Sequence, residues 1–298
     1  MSPIKNILVA TDFSHISLNA FDHAAAIATR NKAKLHALHV SQDPIHSLAG
    51  LALPDLEPYN AAAKAAVQSH LDALSDRSDL PLETAQRHGY SIATEILAYA
   101  EEEQIDLVVI GTHGRGALSR LILGSESQKV ARQCKSAVLV VGEDHVPSTT
   151  ATPTIVVAVD LSPLSEQAVR EAAALAADLH GTLTVLHVLE PLTLPPYYPE
   201  GLIRLAQRED AEQSLTNFVS ALGLAPTPTL AVECGLAEQL IIDYATDHQA
   251  DLLVMARSGM RGFDRLMFGS VTERVLPGAP CPVWVLPAPP MAKDAPAD

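Results

Sequence analysis

The sequence predicts an α/β protein that contains two tandem copies of a five-stranded parallel sheet with helices on both faces. Short apolar runs alternate with helical patterns, which is typical of parallel strands joined by crossover helices. The same series of patterns occurs twice, and in each copy a glycine-containing segment follows the fourth strand. Ligands of such sheets bind beyond the carboxyl ends of the strands, so those ends are the first candidates for function.

An internal repeat defines the domain organisation. The segment Val9–Ser14 (VATDFS) recurs 148 residues later as Val157–Ser162 (VAVDLS). The tripeptide Leu-His-Val, which ends at Val40, recurs at the same offset, and the glycine segments recur at an offset of 145. A repeat of this length has the size of one domain. We therefore predict domains at residues 1–145 and 154–287, a polar, proline-bounded linker at 146–153 and a disordered tail at 288–298.

The elements of the first half follow in a regular order. Ile7–Ala10 is a continuous apolar run, which predicts a buried strand. The helix predicted next, Ser17–Arg30, is rich in alanine and has Phe21, Ala24, Ala25, Ile27 and Ala28 on its inner side. His15 and His23 are expected on or near a solvated helix. The remaining predicted elements are strand Leu35–Val40, loop Ser41–Asn60, helix Ala61–Asp76, strand Leu82–Arg87, helix Ala93–Glu103, strand Asp106–Ile110, helix Ser125–Gln133 and strand Ser136–Val141. The second half repeats this series.

The glycine segments have the composition of an anion-binding loop. Gly111–Arg115 (GTHGR) follows the fourth strand, and nine residues separate Gly114 from the pair Gly124-Ser125. Glycines just past a strand allow a sharp turn and a close approach of backbone N–H groups to an anion. A Gly-Ser pair at a helix start adds further amides and the positive end of the helix dipole. The same segment without a ligand would be a simple tight turn, and that alternative stays open at this point.

The composition excludes several classes of function. The chain has 298 residues, with 20 Lys and Arg against 35 Asp and Glu, and it has no basic run. A formal charge of −15 is unsuited to nucleic acid or to an anionic membrane as a partner. We expect a cytoplasmic protein, because no apolar stretch reaches the roughly 18 residues of a membrane span and no signal-peptide pattern is present. Three scattered cysteines argue against a disulfide framework, and His36 and His39 face opposite sides of a strand, so no metal site is expected.

The pattern V-A-x-D-x-S at the first strand, followed by Gly-x2-Gly-x9-Gly-Ser, resembles the universal stress protein family. The resemblance covers almost the whole chain twice and so indicates a tandem member. It implies a Rossmann-like fold of the adenine-nucleotide alpha-hydrolase type. It also implies an intrachain pseudo-dimer, paired through the last strands of the two halves. Family members with this loop intact bind ATP, with or without Mg²⁺, so the resemblance implies ATP as the ligand.

Carried over by position, the resemblance implies a complete nucleotide site in the first half. One residue departs from the family pattern: Glu126 stands where a small or apolar side chain is usual. A carboxylate there repels phosphates unless it points away or shares a metal. The implied contacts are Ala10, Thr11 and Asp12 at the adenosine end, Val40 at adenine, Ile110 and Gly111 at ribose, and Gly114, Arg115, Gly124, Ser125, Glu126 (through its amide) and Ser127 at the phosphates.

The second half matches the pattern less completely. Ala256 replaces the first loop glycine, and its effect depends on the backbone. If the position needs a positive φ, alanine costs roughly 1 kcal/mol or more, and if φ is negative the methyl group is tolerated. The implied contacts are Val159, Asp160, Val188, Met255, Ala256, Gly259, Gly269, Ser270, Val271 and Thr272.

Two functions of different class remain from the sequence. The first is a stress-response protein that binds an adenine nucleotide and signals or protects through an unknown protein partner; the second is a nucleotide-independent scaffold or chaperone-like protein. An enzyme is not expected: the loop lacks the Gly-Lys-Ser/Thr step of P-loop ATPases, although slow ATP hydrolysis stays as a weaker alternative. Asp12 and Asp160 have an alternative role as caps of the following helix, as have Ser14 and Ser162. Val-rich last strands also suggest that two chains form a homodimer.

Overall fold

Strands and helices alternate along the part of the chain that the computed structural model describes, namely residues 3–42, 57–113, 123–190, 200–258 and 268–287. The chain divides into two compact units, with the division between Pro147 and Ser148. Residues 148–152 are exposed and have no regular helix or strand. The predicted tail at 288–298 lies outside the described residues.

The first unit contains one parallel sheet with the strand order β3-β2-β1-β4-β5. Strand β1 is central, and its residues Ile7, Leu8 and Val9 are fully buried, as expected of a strand covered on both faces. Because β2 lies on one side of β1 and β4 on the other, the strand order reverses at β1, and in such sheets ligands bind beyond the carboxyl ends at this place. The elements are β1 Asn6–Ala10, α1 His15–Asn31, β2 Lys34–Ser41, α2 Glu57–Ser75, β3 Leu82–His88, α3 Ile92–Glu102, β4 Leu107–Gly111, α4 Ser125–Gln133 and β5 Ala137–Val141.

Helices cover both faces of this sheet. On one face, His39 of β2 packs near helix α2 through the ring of Phe13, which contacts both His39 and His70. On the other face, His36 Nδ1 lies 3.0 Å from the hydroxyl of Tyr99 in α3. The two histidines therefore face opposite sides, as the sequence predicted.

The second unit has the same architecture, with the strand order β8-β7-β6-β9-β10 and all neighbours parallel. The predicted fold class, two copies of a five-stranded parallel sheet with helices on both faces, is confirmed. The elements are β6 Thr154–Val159, α5 Pro163–Leu179, β7 Thr182–Leu189, α6 Glu200–Ala221, β8 Thr229–Cys234, α7 Ala237–Asp247, β9 Leu252–Ala256, α8 Ser270–Val275 and β10 Val283–Leu286.

The helix boundary that differs most from the prediction is the start of α2, whereas the other predicted helix ends of the first unit lie within two residues of those observed. Helix α2 begins at Glu57, whereas the sequence predicted a loop as far as Asn60. Pro58 is typical of a loop, and the sequence therefore predicted one. Proline is nevertheless tolerated in the first turn of a helix, because an N–H group at that position would have no intrahelical acceptor.

His23, expected on or near a solvated helix, is buried instead. Its side chain is 8% exposed, and it hydrogen-bonds to the backbone of His145, just after β5. His23 follows Ala20 by three residues, so it shares the buried stripe of α1. Burial lowers the pKa of His23 to about 4, because the charged form loses its hydration. His15, on the same helix, is exposed as predicted.

Candidate functional site

The segment after β1 is a tight turn built from its own side chains. Asp12 Oδ1 accepts a hydrogen bond from the amide of Ser14 at 3.0 Å, and Thr11 Oγ1 accepts one from the amide of Phe13 at 3.0 Å. Ser14 is the N-cap of α1 and accepts from the amide of Ser17. Asp12 is thus not the cap, so the alternative role proposed for it is wrong. Its carboxylate lies instead at the carboxyl edge of the sheet, one turn before the helix.

In the equivalent turn of the second unit, the aspartate accepts from a side-chain hydroxyl as well as from the backbone. Asp160 Oδ1 accepts from the amide of Ser162 at 3.1 Å and also from the hydroxyl of Ser165 at 2.7 Å. Ser162 is the N-cap of α5, so Asp160 is not a cap either. The difference arises at the position of Thr11, which is Val159 in the second unit. The Thr11 hydroxyl lies 3.0 Å from the Ser17 hydroxyl, whereas Val159 has no hydroxyl and the serine donates to the aspartate.

In each unit, one histidine connects the first two strands at this edge. His39 Nδ1 lies 2.8 Å from the carbonyl oxygen of Thr11, and His187 Nδ1 lies 2.9 Å from that of Val159. The bond holds the end of β2 or β7 against the turn that carries the aspartate. Val40 and Val188, the predicted adenine contacts, follow these histidines directly and so lie at the same edge.

The end of β4 is fastened to the start of α4. Ser127 Oγ donates to the carbonyl oxygen of Gly111 at 2.8 Å, and the amide of Gly124 donates to that of Thr112 at 2.8 Å. The N-cap, Gly124, has no side chain that could accept from the first-turn amides of α4. These amides point out of the helix at its positive end. Ser125, Glu126 and Ser127 supply them, whereas Ile110 is buried in β4.

The second unit repeats these connections. Thr272 Oγ1 donates to the carbonyl oxygen of Ala256 at 3.0 Å, and the amide of Gly269 donates to that of Arg257 at 2.8 Å. The helix that follows, α8, is only six residues long, against nine for α4. Met255 is buried in β9, and Ser270 and Val271 begin α8.

Ala256 does not strain the backbone. Gly111 and Ala256 are the last residues of β4 and β9, and neither has a positive φ. The second of the two outcomes considered for Ala256 therefore holds. A Cβ atom on Gly111 would nevertheless lie 2.6 Å from Cγ2 of Ile16. The residue equivalent to Ile16 in the second unit is Leu164, which has no methyl branch at Cβ.

Glu126 points away from the first turn of its own helix. Its Oε2 accepts from the amide of Ala93 at 2.6 Å and from the hydroxyl of Ser91 at 3.3 Å, both at the start of α3. Its Oε1 accepts from Lys129 Nζ at 2.8 Å. Partial burial alone would raise the pKa of Glu126, but the hydrogen bonds from Lys129, Ala93 and Ser91 outweigh it and hold the pKa below its ordinary value.

Several residues that the sequence singled out are thus brought together at the edge of the first unit, namely Asp12, Val40, Gly111 and the start of α4. Gly114, Arg115 and Gly259 lie outside the described residues. The sequence reasoning missed His39 and His187, although their recurrence in Leu-His-Val at an offset of 148 was a usable signal. It also missed Ser91 and Lys129, because nothing local in the sequence marks them as partners of Glu126.

Two further observations limit the chemistry of the described residues. Among them, no group of three or more His, Cys, Asp or Glu side chains is arranged to hold a metal ion. No helix of the described part combines the length and the apolar character that a membrane crossing requires.

Comparison with known proteins agrees with this architecture. A universal stress protein of Mycolicibacterium smegmatis is 28% identical over 292 residues, which cover 94% of this chain and 96% of that protein. A putative universal stress protein of Staphylococcus aureus is 30% identical over 156 residues, covering 50% of this chain and 90% of its own. The crystal structure of a putative universal stress protein from Pseudomonas aeruginosa superposes with a TM-score of 0.65 at 20% identity, covering 95% and 93% of the two chains, which shows a common fold. The model of the universal stress protein family matches twice, at residues 3–142 and 152–287, and the chain therefore belongs to this family as a tandem member.

Proposed function

We propose that the first unit binds an adenine nucleotide, with ATP as its ligand, and that the protein acts in the stress response through a protein partner. The start of α4 carries the proposal. Its first-turn amides lie next to the end of β4, and the carboxylate of Glu126, which would repel phosphate, is bound at α3 instead. Backbone amides at a helix start are suited to phosphate groups.

The other contacts of the proposal come from neighbouring strand ends. Asp12 would contact the adenosine end and Val40 the adenine ring, because both lie at the carboxyl edge where a nucleotide can bridge β1, β2 and β4. Gly114 and Arg115, in the loop, would complete the phosphate contacts. Magnesium would arrive as Mg-ATP, held by the phosphates, since the one carboxylate in the first turn of α4 is already bound by Lys129 and α3.

The proposal is one of binding rather than of catalysis. The described part of the edge supplies backbone amides, hydroxyl groups and the Asp12 carboxylate. Phosphoryl transfer needs metal clamps, a positioned nucleophile and balancing positive charge. We accordingly expect ligand-dependent signalling in the cytoplasm and no turnover.

We assign the tighter site to the first unit. In the second unit the hydroxyl of Ser165 already binds Asp160, and α8 is shorter than α4. Both differences leave the carboxyl edge of the second unit with fewer groups to bind a nucleotide. Ala256, in contrast, has a relaxed backbone and does not by itself exclude binding.

Calorimetric titration with ATP tests the proposal, using the wild-type protein, Gly114→Val and Gly259→Val, each with and without Mg²⁺. We expect a tight site that only Gly114→Val removes, with a weaker second site or none that depends on Gly259. Equal sites in both units would contradict the assignment to the first. No heat in the wild-type protein would overturn nucleotide binding and favour the nucleotide-independent scaffold or chaperone-like function.

A further inference from the structure

The carboxylate of Glu126 occupies the position of an anion bound to helix α3. Ala93 is the second residue of α3, so its amide is one of those left without an intrahelical partner. The Glu126 oxygen that accepts it also lies within hydrogen-bond distance of Ser91, the N-cap, whose own side chain accepts from Thr94. Glu126 and Ala93 are 33 positions apart in the chain, so the contact joins two separate helices, α4 and α3.

The residues at the equivalent positions of the second unit cannot form this contact. Glu126 corresponds to Val271 and Ser91 to Leu236. A polar pair in one unit is thus an apolar pair in the other. The second unit joins its corresponding helices by a different ion pair, in which Arg274 lies 3.0 Å from Glu238.

We infer that Glu126 is a positioning residue that binds the start of α3 and thereby holds the first turn of α4 in the orientation in which its amides meet phosphate. The inference rests on the proposed nucleotide site and adds to it a residue on which phosphate affinity depends. Two consequences follow from one contact. The carboxylate is kept away from the ligand, and the helix that carries the amides of Ser125 and Ser127 is fixed against its neighbour.

The direction in which one substitution changes the ATP affinity distinguishes this role from simple charge repulsion. Glu126→Val introduces the residue of the second unit and removes a negative charge near the phosphates. If only charge mattered, ATP would bind more tightly. If Glu126 positions α4, its loss lowers the fraction of the protein in the orientation that binds phosphate to about one tenth, and ATP binds about tenfold more weakly. Adenosine, which has no phosphate, is expected to bind equally well to both proteins.

The experiment titrates ATP and adenosine into wild type, Glu126→Val and Glu126→Gln, with Arg274→Met as the control at the position equivalent to Lys129. The Gln variant keeps an acceptor for Ala93 and is expected to retain most of the ATP affinity; the Arg274→Met variant is expected to leave the tight site of the first unit unchanged. ATP affinity that is unchanged or higher in Glu126→Val, or an equal loss for adenosine, would overturn the inference.

Hydrogen exchange at Ala93 tests the contact without any nucleotide. We expect its amide to exchange faster in Glu126→Val than in wild type, with Glu126→Gln close to wild type. Equal exchange in Glu126→Val and wild type would overturn the contact itself. A wild-type protein that shows the protected amide but binds no ATP would instead reject the proposed function, and with it the phosphate part of the inference.

Discussion

At the scale of single residues, two differences between equivalent positions of the units compensate each other. The methyl group that Ala256 adds relative to Gly111 would collide with Cγ2 of Ile16 in the first unit. A β-branched side chain in a helix has essentially one χ1 rotamer, so Ile16 cannot move that methyl aside. Leu164, at the equivalent position, has its branch one carbon further out and leaves the space open.

Gly111→Ala is therefore expected to cost about 1–3 kcal/mol in the free energy of unfolding, as overpacking does. Adding Ile16→Leu is expected to recover most of that loss, and denaturant titration of both variants measures it. The reverse change in the second unit, Ala256→Gly, serves as the control and is expected to cost less than about 1 kcal/mol. A double variant as unstable as Gly111→Ala alone would contradict the compensation.

His23 makes stability depend on pH. Its pKa is lowered from 6.5 to about 4 in the folded protein, so the unfolded chain binds more protons between these values. Protonation of His23 does not reduce the free energy of unfolding above pH 6.5. The reduction grows as the pH drops toward 4 and is constant below that. The full loss corresponds to about 3 kcal/mol.

Comparison of wild type with His23→Gln isolates this contribution from carboxylates that titrate in the same window. We expect the difference in unfolding free energy between the two proteins to change by about 3 kcal/mol from pH 7 to pH 4. His15→Gln, at an exposed position on the same helix, is the control for replacing a histidine of α1. Parallel curves for His23→Gln and wild type would show that the pKa of His23 is not lowered by folding.

Single residues were also where sequence reasoning was weakest. That Glu126 would point away from phosphate was one of two alternatives, and choosing between them required the position of the α3 start, 33 residues earlier in the chain. His23 was assigned to the wrong face because one polar residue in an alanine-rich helix fits either side. The collision at Gly111 depends on a side chain from a different element and has no local signature.

At the scale of elements, the corresponding helices α3 and α7 are capped unequally. Ser91 caps the amide of Thr94 in α3, and Glu126 takes the amide of Ala93. In α7 the N-cap is Leu236, an exposed residue whose side chain has no acceptor. Its extended backbone is compatible with a capping serine.

Leu236→Ser is accordingly expected to stabilise the second unit by about 1 kcal/mol. Thermal or denaturant unfolding of the full chain measures it. Ser91→Leu, the converse change in the first unit, is expected to destabilise by a similar amount. A neutral Leu236→Ser would mean that the leucine contributes contacts worth as much as the cap.

Elements themselves were largely predictable. The start and end of α4 coincide with the prediction. Gly124 marks the start, and the helical pattern that follows depends only on neighbouring residues. The apolar runs of β1 and β4 were unambiguous, since strands buried on both faces contain little else. The start of α2 was missed because Pro58 is equally compatible with a loop and with a first turn.

At the scale of the whole molecule, a formal charge of −15 acts on any anionic ligand. Free ATP approaches this field with more negative charge than Mg-ATP does, so repulsion is stronger for the free form. We expect Mg²⁺ to tighten ATP binding by about three- to tenfold at low ionic strength. The effect is expected to shrink in about 0.15 M salt, where exposed charges are screened.

Calorimetry with adenosine provides the control, because an uncharged ligand should respond neither to Mg²⁺ nor to salt. Equal affinities for ATP with and without Mg²⁺ at low salt would show that the net charge does not reach the site. The pairing of the last strands within one chain stays a prediction of the family resemblance, and the homodimer stays a prediction from the Val-rich last strands. The duplication itself was evident from the sequence, since three markers recur in one order at nearly constant spacing.

Joining two related units in one polypeptide has an evolutionary consequence. In a symmetric homodimer every substitution appears in both subunits, so paired changes such as Gly111 with Ile16 cannot differ between them. A duplicated gene removes that constraint, and one copy can lose or change its ligand while the other keeps it. The Thr11-to-Val159 and Glu126-to-Val271 differences show that this divergence has reached both ends of the candidate site. If both units bind a ligand, each molecule would carry two unlike sites in a fixed one-to-one ratio.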